Sequence, residues 1–243
     1  MIDLAQDGNV FTLTMTAGEN RWNLAFVRAF ADALDRVEAA LEGHEGGAAL
    51  VTTSADAKFF SNGLDLEWVA ALAESDPEGE RAAFGVEFMA LMGRIITFPI
   101  PTIAAVNGHG FGAGMMCALC HDVRIMRADR GFLCANEMQI GFRIPTPELA
   151  LFRHKLSGSA FFETVQLAKR WTGESALAAG FVQQTASLEE MPAAAAATAQ
   201  QLAPLGAHRP LYGEQKERLF GENAVLDGPH GAAHMLKNAG AFH

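Results

Sequence analysis

Cysteine, proline, tyrosine and positive charge are all scarce in this chain of 243 residues. Three cysteines (Cys117, Cys120 and Cys134) are too few for a disulfide framework, so the expected compartment is the reducing cytoplasm. Lys and Arg number 18 against 28 Asp and Glu, a formal charge of −10. So acidic a surface repels phosphate backbones, and no nucleic-acid partner is expected. An anionic ligand would need a local basic patch. Long apolar runs are missing too. No window approaches the ~20 apolar residues of a transmembrane helix, so no membrane partner is expected. The first twenty residues carry Asp3, Asp7 and Glu19 without an apolar stretch of signal-peptide type, so no leader is expected. What is present is an apolar fraction of 50% with 19% charged residues, enough to bury a sizeable core.

Along the chain, short apolar runs alternate with helical periodicity. Val10 to Met15 is rich in β-branched and aromatic residues and reads as a strand. Leu24, Val27, Ala31, Leu34, Val37 and Leu41 recur at helical spacing until Gly43. Ala48 to Thr53 and Thr102 to Val106 read as strands buried on both faces, and Asp122 to Met126 as one more. Phe84 to Phe98 predicts a helix stopped before Pro99, and Glu74 to Glu80 is the most linker-like stretch. Pro147 to Leu156, Ser159 to Ala168 with Gly158 at the break, Ser175 to Ala179 and the alanine run Ala193 to Ala197 predict further helices. Residues 209 to 238 read as helical, polar and peripheral. The alternation argues an α/β fold of βαβ type.

Two glycine-bearing loops each follow a strand and precede a helix: Phe60-Ser61-Asn62-Gly63-Leu64-Asp65-Leu66 and Asn107-Gly108-His109-Gly110-Phe111-Gly112-Ala113-Gly114-Met115. Helix starts of this kind expose backbone N–H groups at the positive end of the dipole. Two of them aimed at one point make an oxyanion site from main chain alone; a pair of ordinary tight turns is the bland alternative. The second loop also fits a dinucleotide fingerprint loosely, as Gly108-x-Gly110-x-x-Ala113 with Asp129 downstream. Its place after a late strand and the short stretch to the next one argue against that. Cys117-x-x-Cys120-His121 sits among Met115, Met116, Ala118 and Leu119, which predicts buried thiols on an apolar helix and no metal site. His109, His121 and His154 lack spaced Ser or Asp partners and read as structural. Glu137 stands among apolar neighbours, where desolvation would raise its pKa for proton transfer; a surface-pointing glutamate is the competing reading.

Order and spacing of several segments resemble the crotonase (enoyl-CoA hydratase/isomerase) superfamily, from about Val10 to Ala186. The segments are Lys58-Phe59-Phe60-Ser61-Asn62-Gly63-Leu64-Asp65-Leu66, Pro101-Thr102-Ile103-Ala104-Ala105-Val106-Asn107-Gly108, Cys120-His121-Asp122-Val123-Arg124, Asn136-Glu137-Met138-Gln139-Ile140-Gly141 and Ala176-Leu177-Ala178-Ala179-Gly180-Phe181-Val182. The resemblance implies an α/β spiral of ββα turns over residues 1–185 and a C-terminal helical trimerisation or lid region over 186–243. It also implies a homotrimer or hexamer acting on an acyl-CoA thioester, with coenzyme A carried by the substrate and no other cofactor.

Carried over from the family, the thioester oxygen lies between the backbone N–H groups of Leu64 and Ala113. The family's hydratases carry two catalytic glutamates. One matches Glu137; the position of the other is Met116, which moves no proton. A single glutamate suits the Δ3,Δ2-enoyl-CoA isomerases, plant peroxisomal ones above all, because one base can take a proton from C2 and return it at C4. Lys58, Phe60, Asn62, Gly63, Asp65, Trp68, Gly112, Gly114 and Phe142 are the expected substrate-binding residues, with Phe84 and Phe88 as further acyl-chain lining. Arg21, Lys58 and Arg143 are candidates for the CoA phosphates. The rival readings are a hydratase or thioester hydrolase recruiting His109 or Asp65, a non-catalytic acyl-CoA binder, and a nicotinamide-binding protein.

Overall fold

A computed structural model of the protein describes residues 1–76, 79–221 and 231–241. Two parallel sheets grow together as the chain winds. β1 (Ile2–Asp7) and β2 (Val10–Met15) form an antiparallel hairpin, and α1 (Leu24–Glu42) follows. Then each turn lays one strand in each sheet. β3 (Ala49–Ser54), β5 (Thr102–Val106) and β7 (Val123–Arg127) extend the large sheet; β4 (Phe59–Ser61), β6 (His109–Phe111) and β8 (Leu133–Cys134) form the small one. Helices close the turns: α2 (Leu66–Glu74) and α3 (Glu80–Ile96), then α4 (Ala113–Cys120), then α5 (Glu137–Ile140), α6 (Thr146–Lys155), α7 (Gly158–Val165) and α8 (Gly173–Ala178). β9 (Gln184–Ala186) ends the large sheet, whose order is β1-β2-β3-β5-β7-β9. This is the expected spiral.

Local chemistry accounts for the main elements. Asn23 caps α1 by accepting from the Phe26 N–H, and the helix buries Phe26, Phe30, Leu34 and Val37 along one stripe. All five residues of β5 are buried, as a parallel strand covered on both faces requires. α4 is buried on every side, so Cys117 and Cys120 are core thiols, and burial raises the Cys120 pKa to about 12. After β9 the alanine-rich α9 (Met191–Leu202) packs Ala195 and Ala199 on Val51, Ile103 and Ala105, covering the outer face of the large sheet. Small side chains let helix and sheet approach closely.

Several expectations need correction. β1 was not foreseen, and neither were the short strands β4, β6 and β8, because two or three residues carry no readable period. The break expected at Gly158 is present: α6 ends at Lys155, and Gly158 opens α7 under a Ser157 cap. Residues 209 to 238 are not uniformly peripheral. α10 (Arg209–Phe220) follows a 3₁₀ turn over Ala203–His208 and sends the buried Lys216 onto Asp122 at 2.7 Å. α11 (Ala232–Lys237) buries Ala232, Ala233, Met235 and Leu236 against α3 and α6, since its apolar side chains outweigh the polar ones around them. Pro77 and Glu78 of the expected linker, residues 222–230 and residues 242–243 lie outside the described residues.

His121 holds the turn after α4 to the large sheet. Its Nδ1 lies 2.8 Å from the Cys117 carbonyl and its Nε2 2.8 Å from Thr52 Oγ1, and Arg124, Lys155, Lys216 and Asp122 surround it. Burial lowers its pKa from 6.5 to about 4, so the unfolded chain binds a proton first as pH falls. Stability contributed by neutral His121 is complete above 6.5 and lost between 6.5 and about 4. The loss amounts to about 3 kcal/mol at 1.36 kcal/mol per pH unit. Urea melts across this window should show wild type losing stability and His121→Gln losing measurably less. Equal slopes for the two proteins would contradict the assignment.

Candidate active site

The small sheet sets the site. β4 and β6 pair in parallel, so both chains leave the sheet at the same edge and their two glycine loops lie side by side. Gly63 has φ +80°, and a Cβ there would stand 2.9 Å from the Phe111 carbonyl oxygen, so only glycine lets the loops touch. Trp22 straddles Leu64: its N–H donates to the Gly63 carbonyl at 2.8 Å, and the Asp65 N–H donates to its own carbonyl at 2.9 Å. The Leu64 amide between them has no acceptor among the described residues. Ala113 is the first residue of α4, so its N–H is an orphan of helix geometry at the positive end of the dipole. Both residues line one cavity of about 240 Å³.

Glu137 faces the same space. A Cβ on Gly112 would stand 2.8 Å from its Oε1, so glycine at 112 makes room for the carboxyl group. Its Oε2 is buried with no hydrogen-bond partner among the described residues. Burial raises its pKa above 4.5, and the surface-pointing alternative fails. A second carboxyl group lines the cavity. Glu148, in the first turn of α6, is only 4% exposed, and its Oε1 likewise has no partner among the described residues. Burial, reinforced by the charge of Glu137, pushes its pKa well up, although a helix start favours a carboxylate. Burial outweighs the helix start, and of the two carboxyl groups Glu148 is the one pushed further toward its protonated form.

The rest of the wall is mostly apolar and includes Phe84, Phe88, Met89, Met116, Ile140 and Phe142. Asn62, Gly63, Gly112 and Arg143 also line it. Other expected residues stand elsewhere. Phe60 is fully buried in the main core, and Gly114 packs on the Ser61 carbonyl. Asp65 caps α2 by accepting from the Trp68 N–H at 3.2 Å and receives the Asn23 amide at 3.1 Å. Trp68 backs the wall through an edge contact with Phe84, ring centroids 5.3 Å apart. Lys58 is exposed, its ammonium 4.7 Å from the Phe59 ring centroid. His109 packs against Phe59, Phe111 and Phe132 and lines a different hollow, beside Asp129 and Arg130. Neither His109 nor Asp65 reaches the cavity that holds Glu137.

A groove of about 410 Å³ adjoins this cavity, sharing Asn62, Leu64, Leu66 and Asn136 with it and bringing Arg21 and Arg170 together. Sequence reading missed Arg170 and Glu148. A glutamate early in a helix reads as a dipole partner, and Arg170 lies in no motif, so neither carried a signal.

A family profile described as Enoyl-CoA hydratase/isomerase matches residues 6–210. The chain belongs to the enoyl-CoA hydratase/isomerase family. Enoyl-CoA delta isomerase 2, peroxisomal, of Arabidopsis thaliana is 38% identical over 189 residues, covering 76% of this chain and 77% of that protein. Enoyl-CoA delta isomerase 1, peroxisomal, of the same plant is 33% identical over 225 residues, 91% of this chain and 90% of that one. Among solved structures, an apo enoyl-CoA isomerase of Mycobacterium tuberculosis superposes with a TM-score of 0.81 at 25% identity, over 99% of this chain and 98% of its own. Within this enoyl-CoA hydratase/isomerase scaffold, Met116 lines the cavity without a titratable group, and both carboxyl groups come from the segment after β8.

Two outcomes test the site. Gly112→Ala should still fold but melt at a lower temperature, since Gly112 has φ +47°, and cut turnover by about two orders of magnitude, because a displacement of ~1 Å in a catalytic group costs that much. Turnover at the wild-type rate would break the link between Gly112 and Glu137. Glu148 holds its proton in the fold where the unfolded chain has lost it, so it costs stability increasingly as pH rises above 4.5. Denaturant melts of Glu148→Gln should therefore match wild type near pH 4 and exceed it increasingly toward pH 8. A gap that does not grow would mean that Glu148 is ionised in the fold.

Proposed function

We propose that the protein is a Δ3,Δ2-enoyl-CoA isomerase. The observation that carries this reading is the half-buried carboxyl group of Glu137, whose Oε2 has no partner among the described residues, sharing an apolar cavity with Leu64 and Ala113, whose amides have no acceptor among the described residues. The names of the Arabidopsis relatives support it. A 3-enoyl thioester places its carbonyl oxygen between the Leu64 and Ala113 N–H groups. Glu137 takes the C2 proton, and the resulting dienolate gathers its charge on that oxygen. Each such donor contributes about 2.7–4 kcal/mol to the transition state. Reprotonation at C4 then releases the 2-enoyl product. Phe84, Phe88 and Phe142 shelter the acyl chain, and Trp68 stiffens that wall.

In this reading the anionic end of coenzyme A meets Arg170 in the adjoining groove and Arg143 at the cavity, while Arg21 of the same groove pairs with Glu19 at 2.8 Å and Glu67 at 3.4 Å. The chemistry calls for no cofactor beyond the coenzyme A of the substrate. The reading includes a homotrimer or hexamer with contacts from the C-terminal helical region, supported by the exposed Leu205 and Leu211. A cytoplasmic location accords with three free, buried thiols.

Conversion of 3-hexenoyl-CoA to 2-hexenoyl-CoA tests the proposal. Glu137→Gln should lower kcat by at least ~100-fold, the usual scale of a lost acid–base group, while a saturated acyl-CoA still binds. Wild-type activity should rise with pH along a limb whose midpoint lies above 4.5, where burial has moved Glu137. Hydration of crotonyl-CoA without isomerisation of the 3-enoyl substrate would replace this reading with a hydratase.

A further inference from the structure

The isomerase reading uses one carboxyl group, and the cavity has two. Glu148 is 4% exposed, lines the cavity and keeps Oε1 without a partner among the described residues. Leaving a buried polar atom unpaired costs ~1–3 kcal/mol, a burden hard to explain in a residue that only fills space. Its helix, α6, packs directly on α4, which carries the Ala113 amide at its start and Met116 one turn later. Asn62, Leu64, Leu66 and Asn136 line both the cavity and the arginine-bearing groove, whereas Glu148 lines the cavity alone. Glu137 stands beside Gly112, next to Ala113, and Glu148 enters the same cavity from α6.

We propose that Glu148 is a second catalytic acid of this cavity, the group that delivers a proton to C4 after Glu137 has taken one from C2. The proposal rests on the isomerase reading. Glu137 forms an O–H bond with the C2 proton, and the C–H electron pair passes into the dienolate. The O–H bond of Glu148 then breaks as its proton bonds to C4, the C2=C3 double bond closes and the thioester carbonyl returns. Glu148 is left as a carboxylate and Glu137 as an acid. The proton passes from Glu137 to Glu148 across the cavity they share, and the site is reset with no external reactant. Burial and the charge of Glu137 both raise the Glu148 pKa, the direction that favours the protonated form a donor needs.

Two readouts on one substrate separate the roles. With 3-hexenoyl-CoA in D2O, deuterium entry at C2 reports Glu137 alone, and formation of the 2-enoyl product reports both groups. Glu148→Gln should keep C2 exchange within a few-fold of wild type and lose isomerisation by at least ~100-fold. Glu148→Asp, which retains an acid, should recover part of that loss, and Glu137→Gln should lose both readouts. Isomerisation by Glu148→Gln within a few-fold of wild type would overturn the proposal. So would joint loss of exchange and isomerisation in a folded Glu148→Gln, since Glu148 would then only support Glu137. Wild type that neither exchanges nor isomerises would overturn the isomerase reading itself, and this proposal with it.

Discussion

The parallel pairing of β4 with β6 is the constraint on which the rest depends. Six residues in two short strands would hardly count in a stability argument. Yet they bring two loops, far apart in sequence, to one edge of a sheet. There Gly63 meets Phe111 and Gly112 meets Glu137 at distances that no Cβ tolerates. Because the loops touch, Leu64 and Ala113 line one cavity. The loops are held from behind by side chains. Asn20 donates to Ser54 and to the Phe60 carbonyl, Ser61 donates to the Asn20 carbonyl, and Asn107 donates to the carbonyls of Ser54 and Asp56. This is a buried polar lattice around β4, and it makes the short strand rigid.

Electrostatics divides the molecule into two kinds of buried polar group. In the lattice around Asp122, Lys216 donates to the Phe98 and Ile100 carbonyls and Arg124 to those of Phe181 and His121, so each charge finds partners. In the cavity, Glu137 and Glu148 each retain an oxygen without a partner among the described residues. The first arrangement serves stability and the second opposes it. Unpaired carboxyl oxygens facing one cavity are the kind of arrangement that poises groups for proton transfer.

Long periodic segments were legible beforehand. The helix from Leu24 and the strand from Thr102 fell where the pattern set them, because burial of one stripe or of two faces leaves a clear mark on composition. Leu64, Ala113 and Glu137 could be named through family resemblance and prove to line one cavity. The strands β4 and β6 left no mark, since three residues carry no period. α11 was misjudged for a related reason: its interior residues are two alanines, a methionine and a leucine set among polar neighbours. Phe60 and Asp65 sit in the same motif as Leu64, yet one fills the core and the other caps a helix. Nearness in sequence is not convergence in space.

The amino-acid sequence by itself determined the class of fold, the two glycine loops after buried strands, Glu137 in the segment Asn136-Glu137-Met138-Gln139-Ile140-Gly141 and an acidic composition. Tertiary structure alone decided which groups meet. Glu148 and Arg170 belong to helical and loop segments with no motif, and their place beside the cavity and its groove follows from how α6 packs on α4 and how the chain returns past β8. The reason is physical: periodicity records whether a residue is buried, whereas a carboxyl group's proton affinity depends on what surrounds it after every layer has closed.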